Sequence, residues 1–387
     1  MPDMKLVPVS THDYRSRAKK RLPRQLFDYI DGGSYNETTL RANVEDFEDI
    51  HLKQTVLRDV SKIDMSVSLF GEKYTMPMGL APIGLAGMMA RRAEVQAVRT
   101  AERAGLPFCL STVSICSLEE VAKATRKPFW FQLYMMKDRG YVKELLERAQ
   151  AVGCTTLVFT VDLAVVGARY RDARNGMAGG LNIATKLRAA LEYPMHPKWL
   201  IDVAIKGTPH VFGNLQDLVP SATSLADFKE WVDGQFDPSC TWKDIEWLRS
   251  IWKGNLIIKG ILSVEDAQSA VKSGADALII SNHGGRQLDS VSSSITMTAR
   301  IREALGTQMT IIMDGGIRSG QDVLKALAVG ADFVCIGRAW IWALAAGGEA
   351  GLDALLRTFK AEMHVSMALT AAPYLADITG DILDREP

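Results

Sequence analysis

The segment SNHGGRQLD (281–289) sets an imidazole, His283, against two glycines, with the guanidinium of Arg286 three residues on. A histidine can take a proton near neutral pH, and an arginine can grip a carboxylate through two parallel hydrogen bonds. Together they describe proton transfer on a small organic acid. A second cation, Lys259, lies in the otherwise apolar run LIIKG (256–260). Three roles are open to it: a Schiff-base nucleophile, a charge that stabilises a developing anion, or a buried ion pair with Asp162 or Asp314. Two further segments, DGGIRSG (314–320) and IGRA (336–339), combine glycines with Arg318 and Arg338. Glycine lets backbone N–H groups approach an anion, and the arginines add bidentate donors, so the two segments read as a phosphate clamp. Gly315 and Gly320 have the spacing of a nucleoside-triphosphate loop, but Gln321 stands where that loop needs lysine, and no G-x-G-x-x-G follows an apolar run. The phosphate therefore belongs to a mononucleotide-like cofactor or to a phosphorylated substrate. No cluster of His, Cys or carboxylates has metal-ligand spacing, so no metal is expected.

These groups need a scaffold, and eight short apolar runs supply one: MPMGLAP (76–82), FCLST (108–112), FWFQLY (129–134), TLVFTVD (156–162), LIIKG (256–260), ALIISN (277–282), TIIMDGG (310–316) and FVCIGR (333–338). Continuous rather than alternating apolarity suits strands buried on both faces. Most starts are 20 to 33 residues apart, enough for one crossover helix each. Ser117 with Glu120, Ser263 with Asp266 and Ser319 with Asp322 have the spacing of helix-start boxes, and Gly274 and Gly330 stand where a left-handed residue ends a helix. SGADALII (273–280) and VGADFVCI (329–336) repeat one helix-stop-strand signature. The pattern implies an α/β fold, a (β/α)8 TIM barrel, with a doubly wound sheet as the rival. In a barrel the site lies at the C-terminal strand ends. Those ends here carry Pro82, Ser111, Gln132 with Tyr134, Thr160 with Asp162, Lys259, Ser281 with His283, Asp314 with Gly315 and Gly316, and Gly337 with Arg338. One polar strand end is commonly a helix cap. Eight together point to a site.

The 387 residues, 47% apolar and 23% charged, have ordinary globular usage, which argues against a disordered or disulfide-stapled chain. The expected organisation is one domain over 1–387: an N-terminal extension (1–75), a barrel (76–360) holding an insertion (163–255), and a C-terminal segment (361–387). Lys plus Arg and Asp plus Glu both number 45, so no global field draws in nucleic acid. Five cysteines without a C-x-x-C pair read as reduced thiols of a cytosolic compartment. The N-terminus lacks a signal-peptide stretch, and the longest uncharged run, Tyr74 to Ala90, is too short and too broken by proline to span a bilayer. Residues 164–213 carry seven Lys/Arg against three Asp/Glu around a Trp-containing apolar stretch. That composition suits docking on an anionic membrane face, or a lid packed on its own barrel. The basic run Arg15 to Arg24 reads as a solvated helix face.

SNHGGRQLD, with FQLY, TVD, KG and DGGIRSG in this order, resembles the FMN-dependent L-2-hydroxy acid dehydrogenase and oxidase family, from about Tyr14 to Ile382. DYIDGGSY (28–35), STVSICSLEEV (111–121), GARYRD (167–172) and HPKW (196–199) look like its bacterial respiratory L-lactate dehydrogenase branch. The resemblance implies FMN, its phosphate on Gly315, Arg318, Gly337 and Arg338 in a stretch that includes Asp314 and Gly316. It implies the isoalloxazine ring on Ala81, Pro82 and Ile83, with Ser111, Gln132, Thr160 and Ser281 as further cofactor contacts and Lys259 at the pyrimidine end. The substrate carboxylate would be held by Arg286 and Tyr29 with help from Arg169, and the hydroxyl met by Tyr134. His283 would be the base and Asp162 would stabilise its imidazolium. The implied reaction is oxidation of L-lactate to pyruvate, with electrons passed to a separate respiratory acceptor, a quinone or cytochrome, since no haem domain precedes the barrel. A 2-hydroxy acid oxidase that makes hydrogen peroxide is the alternative. The protein is expected to be a homo-oligomer, peripheral on the cytoplasmic face of the inner membrane through residues 163–240. The run LAVVGA (163–168) lacks the proline expected before Arg169, and Val113 stands where glycolate oxidase has a bulky aromatic, which weakens a glycolate reading.

Overall fold

The structure is a computed structural model that describes residues 7–177, 191–216 and 234–384. Three helices, α1 (Thr11–Arg21), α2 (Arg24–Asp31) and α3 (Thr38–Glu45), precede the barrel. The barrel strands are β1 (Met78–Leu80), β2 (Cys109–Ser111), β3 (Trp130–Tyr134), β4 (Thr156–Thr160), β5 (Asn255–Ile261), β6 (Ala277–Ile280), β7 (Thr310–Asp314) and β8 (Phe333–Ile336). They pair in parallel in the order β1-β8-β7-β6-β5-β4-β3-β2, and a parallel bridge between Leu80 and Phe108 brings the two ends together, so the sheet closes. Both faces of each strand are covered, which is why the runs are apolar throughout rather than alternating. The helices that follow the strands are α4 (Ala93–Ala104), α5 (Leu118–Ala122), α6 (Arg139–Ala151), the short α7 (Tyr170–Arg174), α8 (Trp242–Ile251), α9 (Val264–Lys272), α10 (Ser294–Leu305), α11 (Gly320–Ala328) and α12 (Arg338–Leu369). The Ser117, Ser263 and Ser319 hydroxyls each accept a hydrogen bond from the backbone N–H three residues on, starting α5, α9 and α11.

Inside the barrel, Trp130, Val158, Ile257, Ile279, Ile312 and Phe333 form one buried cluster. A hairpin of Val67–Leu69 and Glu72–Tyr74 closes the N-terminal end, with Phe70 against Trp130 and Tyr74 against Phe333. The site therefore has the opposite, C-terminal end to itself.

Three expectations need correction. The boundary at 360 falls inside α12, which kinks at Gly348 (φ 63°), continues to Leu369 and packs along α1 and α11. Extension, barrel and C-terminal segment are thus one packed body. The run Arg15 to Arg24 is only partly solvated: Lys19, Lys20 and Arg24 are exposed, but Tyr14, Ala18 and Leu22 are buried and Arg15 forms a two-point pair with Asp31 at 2.6 and 2.8 Å. The insertion includes α8, the barrel's own fourth helix, and Trp199 does not face outward. Its indole N–H donates to the Met88 carbonyl at 2.8 Å and its ring stacks on Tyr193, while Val203, Phe212, Leu215 and Phe236 are buried beside the barrel. Leu191, Met195, Ile201 and Ile205 are exposed. Residues 178–190 and 217–233 of this expected membrane segment lie outside the described residues. Among those described, no helix is long and apolar enough to cross a membrane.

Candidate active site

A cavity of about 1260 Å³, open mouth included, lies at the C-terminal strand ends. One wall is the β1 segment Ala81, Pro82 and Ile83, and another is the β7 and β8 turns with Asp314, Gly315, Gly316, Arg318, Gly337 and Arg338. Between them stand Thr160, Lys259, His283 and Arg286, and the rim is completed by Tyr134, Arg169 and, from α2, Tyr29.

The loop after β6 takes an unusual path. His283, Gly284 and Gly285 have φ of 57°, 64° and 72°, three left-handed residues in succession. A Cβ on Gly285 would lie 2.6 Å from the backbone nitrogen of Leu40, so only glycine fits there. The turn aims the imidazole into the cavity, where Nε2 lies 3.5 Å from the Tyr134 hydroxyl. Nδ1 faces Asp162 Oδ1 at 2.9 Å. Asp162 is brought in by a bulge in β5 at Gly260 (φ 106°), where a Cβ would lie 2.7 Å from the Asp162 Cβ. Burial pushes the imidazole below its ordinary pKa of 6.5, although Asp162 pulls the other way. Burial works to raise the Asp162 carboxyl, but its pairing with His283, hydrogen bond included, and the charge of Lys259 outweigh it and hold the group below the usual carboxylate range. The arrangement is a neutral imidazole that donates Nδ1–H to a carboxylate and presents the Nε2 lone pair to the cavity. Burial and the charge of Asp162 raise the Tyr134 phenol, which is therefore a donor.

Lys259 Nζ lies 3.0 Å from Asp314 Oδ2 and donates to Ser281 Oγ at 2.8 Å. Burial opposes its charge, yet Asp314 and Asp162 together keep the amine above its ordinary pKa. A Schiff-base nucleophile must be neutral, so that option falls. Ser281 Oγ accepts from Lys259 and from the His283 backbone N–H at 3.0 Å. The Ser111 hydroxyl donates to Gln132 Oε1 at 3.1 Å. Gln132 Nε2 is buried without a partner, as is Thr160 Oγ1 on the neighbouring strand.

Three half-buried guanidiniums complete the site. Arg286 Nη1 donates to the Tyr29 and Gly32 carbonyls, and the group lies 4.9 Å over the Tyr29 ring. Arg338 donates to the carbonyls of Ile30, Gly284 and Gly32 at 3.1, 2.8 and 2.8 Å, and Arg318 to that of Ile317. Among the described residues none of the three has a carboxylate within ion-pair distance, and burial pushes Arg286 and Arg318 down to about 10. Cations set into a cavity wall without a carboxylate partner call for an anion. Gly315 and Gly316 have φ of 97° and 87°, and a Cβ on Gly316 would lie 1.8 Å from the Asn43 carbonyl oxygen. A Cβ on Gly337 would meet nothing within 4 Å, so that backbone lies open to the cavity. The arginines and these turns fit a phosphate, and the unpaired Gln132 amide and Thr160 hydroxyl fit the polar edge of a flat heterocycle.

Sequence reasoning missed the outer wall, formed by Leu163, Val166, Phe212 and Phe236. Phe236 is pinned by an antiparallel bridge to Met136 and lies 5.0 Å from the Tyr134 ring centroid. It comes from the non-repeating segment, where no periodicity could mark it.

A family model described as FMN-dependent dehydrogenase matches residues 18–385. An L-lactate dehydrogenase of Alcaligenes faecalis is 52% identical over 382 residues, covering 99% of this chain and 100% of the relative. One from Xanthomonas campestris pv. campestris (strain B100) is 53% identical over 380 residues, 98% of each chain. Among solved structures, that of the monotopic membrane protein (S)-mandelate dehydrogenase superposes with a TM-score of 0.91 at 35% identity, over 98% of this chain and 100% of the other. A mandelate oxidase superposes with a TM-score of 0.83 at 33% identity, over 98% and 99%.

Proposed function

The chain belongs to the FMN-dependent dehydrogenase family, and from that premise we propose that it oxidises L-lactate to pyruvate and passes the electrons to a respiratory acceptor. When bound, FMN supplies the two-electron acceptor. Arg318, Arg338 and the Gly315, Gly316 and Gly337 backbone would hold its phosphate, while Lys259, Gln132 and Thr160 would meet its polar ring edge. Arg286, assisted by Arg169 and Tyr29, holds the substrate carboxylate, and the Tyr134 hydroxyl donates to the α-oxygen. Oxidation of a 2-hydroxy acid to a 2-oxo acid removes two electrons and two protons; His283 Nε2 accepts one of those protons, and the other would pass to the flavin with the two electrons. Asp162 then stabilises the imidazolium through Nδ1–H.

One observation carries this reading: a neutral imidazole and a guanidinium without a carboxylate partner face the same cavity. Anaerobic addition of L-lactate to the purified holoprotein should bleach its flavin absorbance; no bleaching with any 2-hydroxy acid would overturn the assignment. Turnover with a soluble quinone should exceed turnover with oxygen, and the reverse would make the protein a peroxide-forming oxidase.

The exposed Leu191, Met195, Ile201 and Ile205, next to Lys198 and Lys206, support peripheral attachment to the cytoplasmic face of the inner membrane, as does the monotopic neighbour. Changing both Ile201 and Ile205 to Asp should weaken binding to anionic phospholipid vesicles at least about tenfold, given about 1.5–3 kcal/mol for each fully buried aliphatic side chain. Flavin reduction by L-lactate should be unchanged. Unaltered co-sedimentation with vesicles would remove this face from the membrane contact.

A further inference from the structure

Asn282, in the same motif as His283 and Arg286, has no part in the chemistry above. It is 6% exposed and pairs with Asn43 of α3, which is 2% exposed. The two primary amides are reciprocal: each Nδ2 donates to the other's Oδ1 at 2.8 Å. Each Oδ1 also accepts a backbone N–H, Asn282 from Gly285 at 3.0 Å and Asn43 from Ser294 at 3.1 Å. Asn282 Nδ2 donates further to the Ser292 carbonyl at 3.2 Å. The Gly285 bond closes the left-handed turn that carries His283. On the other side, the Asn43 carbonyl oxygen is the atom that leaves no room for a Cβ on Gly316, so the phosphate turn rests on the same residue. A single residue of the N-terminal extension thus touches the turn that aims the base and the turn that meets the phosphate.

We infer that Asn43 and Asn282 are positioning residues that register the His283 turn against the phosphate turn, so that base placement and flavin affinity are coupled. The inference rests on the reading under Proposed function for the identity of the base. Both amides are needed because each supplies a donor and an acceptor. A carboxylate of the same shape loses the donors and sets oxygen against oxygen across a buried contact.

Asn43→Asp should lower the rate of flavin reduction by L-lactate, counted per bound flavin, and weaken FMN binding, each by about tenfold, the scale of a buried hydrogen bond left unpaired. FMN affinity, read from flavin fluorescence without substrate, separates failure of the coupling from failure of the lactate assignment. Asn43→Ser, uncharged and too short to reach Asn282, should change both quantities in the same direction and serves if the aspartate variant does not fold. The control is Thr296→Ala, which removes a 3.0 Å bond from α10 to Asp46 beside α3 without touching either turn. It should leave both quantities as they are. If the Asn43 variants keep wild-type reduction and affinity, change only one of them, or are matched by Thr296→Ala, the coupling is overturned.

Discussion

Replacing His283 by glutamine lowers flavin reduction by L-lactate at least about 10²-fold while FMN stays bound, the usual scale for removing a general base. Glutamine can still hydrogen-bond to Asp162 and Tyr134, so the loss reports proton transfer rather than packing. Flavin is retained because His283 contacts neither Arg318 nor Arg338. Stopped-flow reduction checks the rate and the absorbance spectrum checks occupancy; a rate within about tenfold of wild type would remove His283 from the base role. The same group sets the pH response. Burial depresses its pKa below 6.5, so the base stays neutral further into the acid range than a free histidine would. kcat/KM should therefore rise with pH through that depressed value, with its midpoint below 6.5. Folding stability moves in the same sense: between the depressed value and 6.5 the unfolded chain binds a proton that the folded chain does not, so stability is lost as pH falls through this window.

Arg286→Lys lowers kcat/KM for L-lactate by about 10²-fold, chiefly through KM, because an ammonium cannot replace a planar fork. Nη1 of Arg286 is already committed to the carbonyls of Tyr29 and Gly32, and Nε and Nη2 remain for a carboxylate. A lysine must choose between the carbonyls and the substrate. Steady-state kinetics across L-lactate concentrations test this, and an unchanged KM would move the carboxylate to Arg169, which reaches the cavity from the loop after β4.

Much of this was legible in the sequence, for identifiable reasons. Strands covered on both faces leave continuous apolar runs, serine caps leave a fixed three-residue spacing, and left-handed turns leave glycines. The residue order does not say where the Ser281 hydroxyl goes: the left-handed turn at His283 redirects the chain, and Oγ ends between Lys259 Nζ and the His283 backbone N–H. Trp199 illustrates a different limit. An indole beside a lysine reads the same whether it meets lipid or a barrel, and the Met88 carbonyl more than a hundred residues away decides the matter. Phe236 depends on a bridge to Met136, just past β3 and about a hundred residues back, and the end of the barrel was obscured by the kink at Gly348.

All but one of the carbonyls that hold Arg286 and Arg338 belong to Tyr29, Ile30 and Gly32, at the C-terminal end of α2; the exception is Gly284. Aligned peptide dipoles place about half an elementary negative charge at such an end. A carboxylate there would steady the two guanidiniums but cancel one of them outright. A helix terminus steadies them with only a fraction of that charge, and the remaining positive potential is left for the two anions the cavity must attract. One eight-residue helix thereby sets the electrostatic pull on substrate and cofactor alike, and a shift of its axis would alter both together.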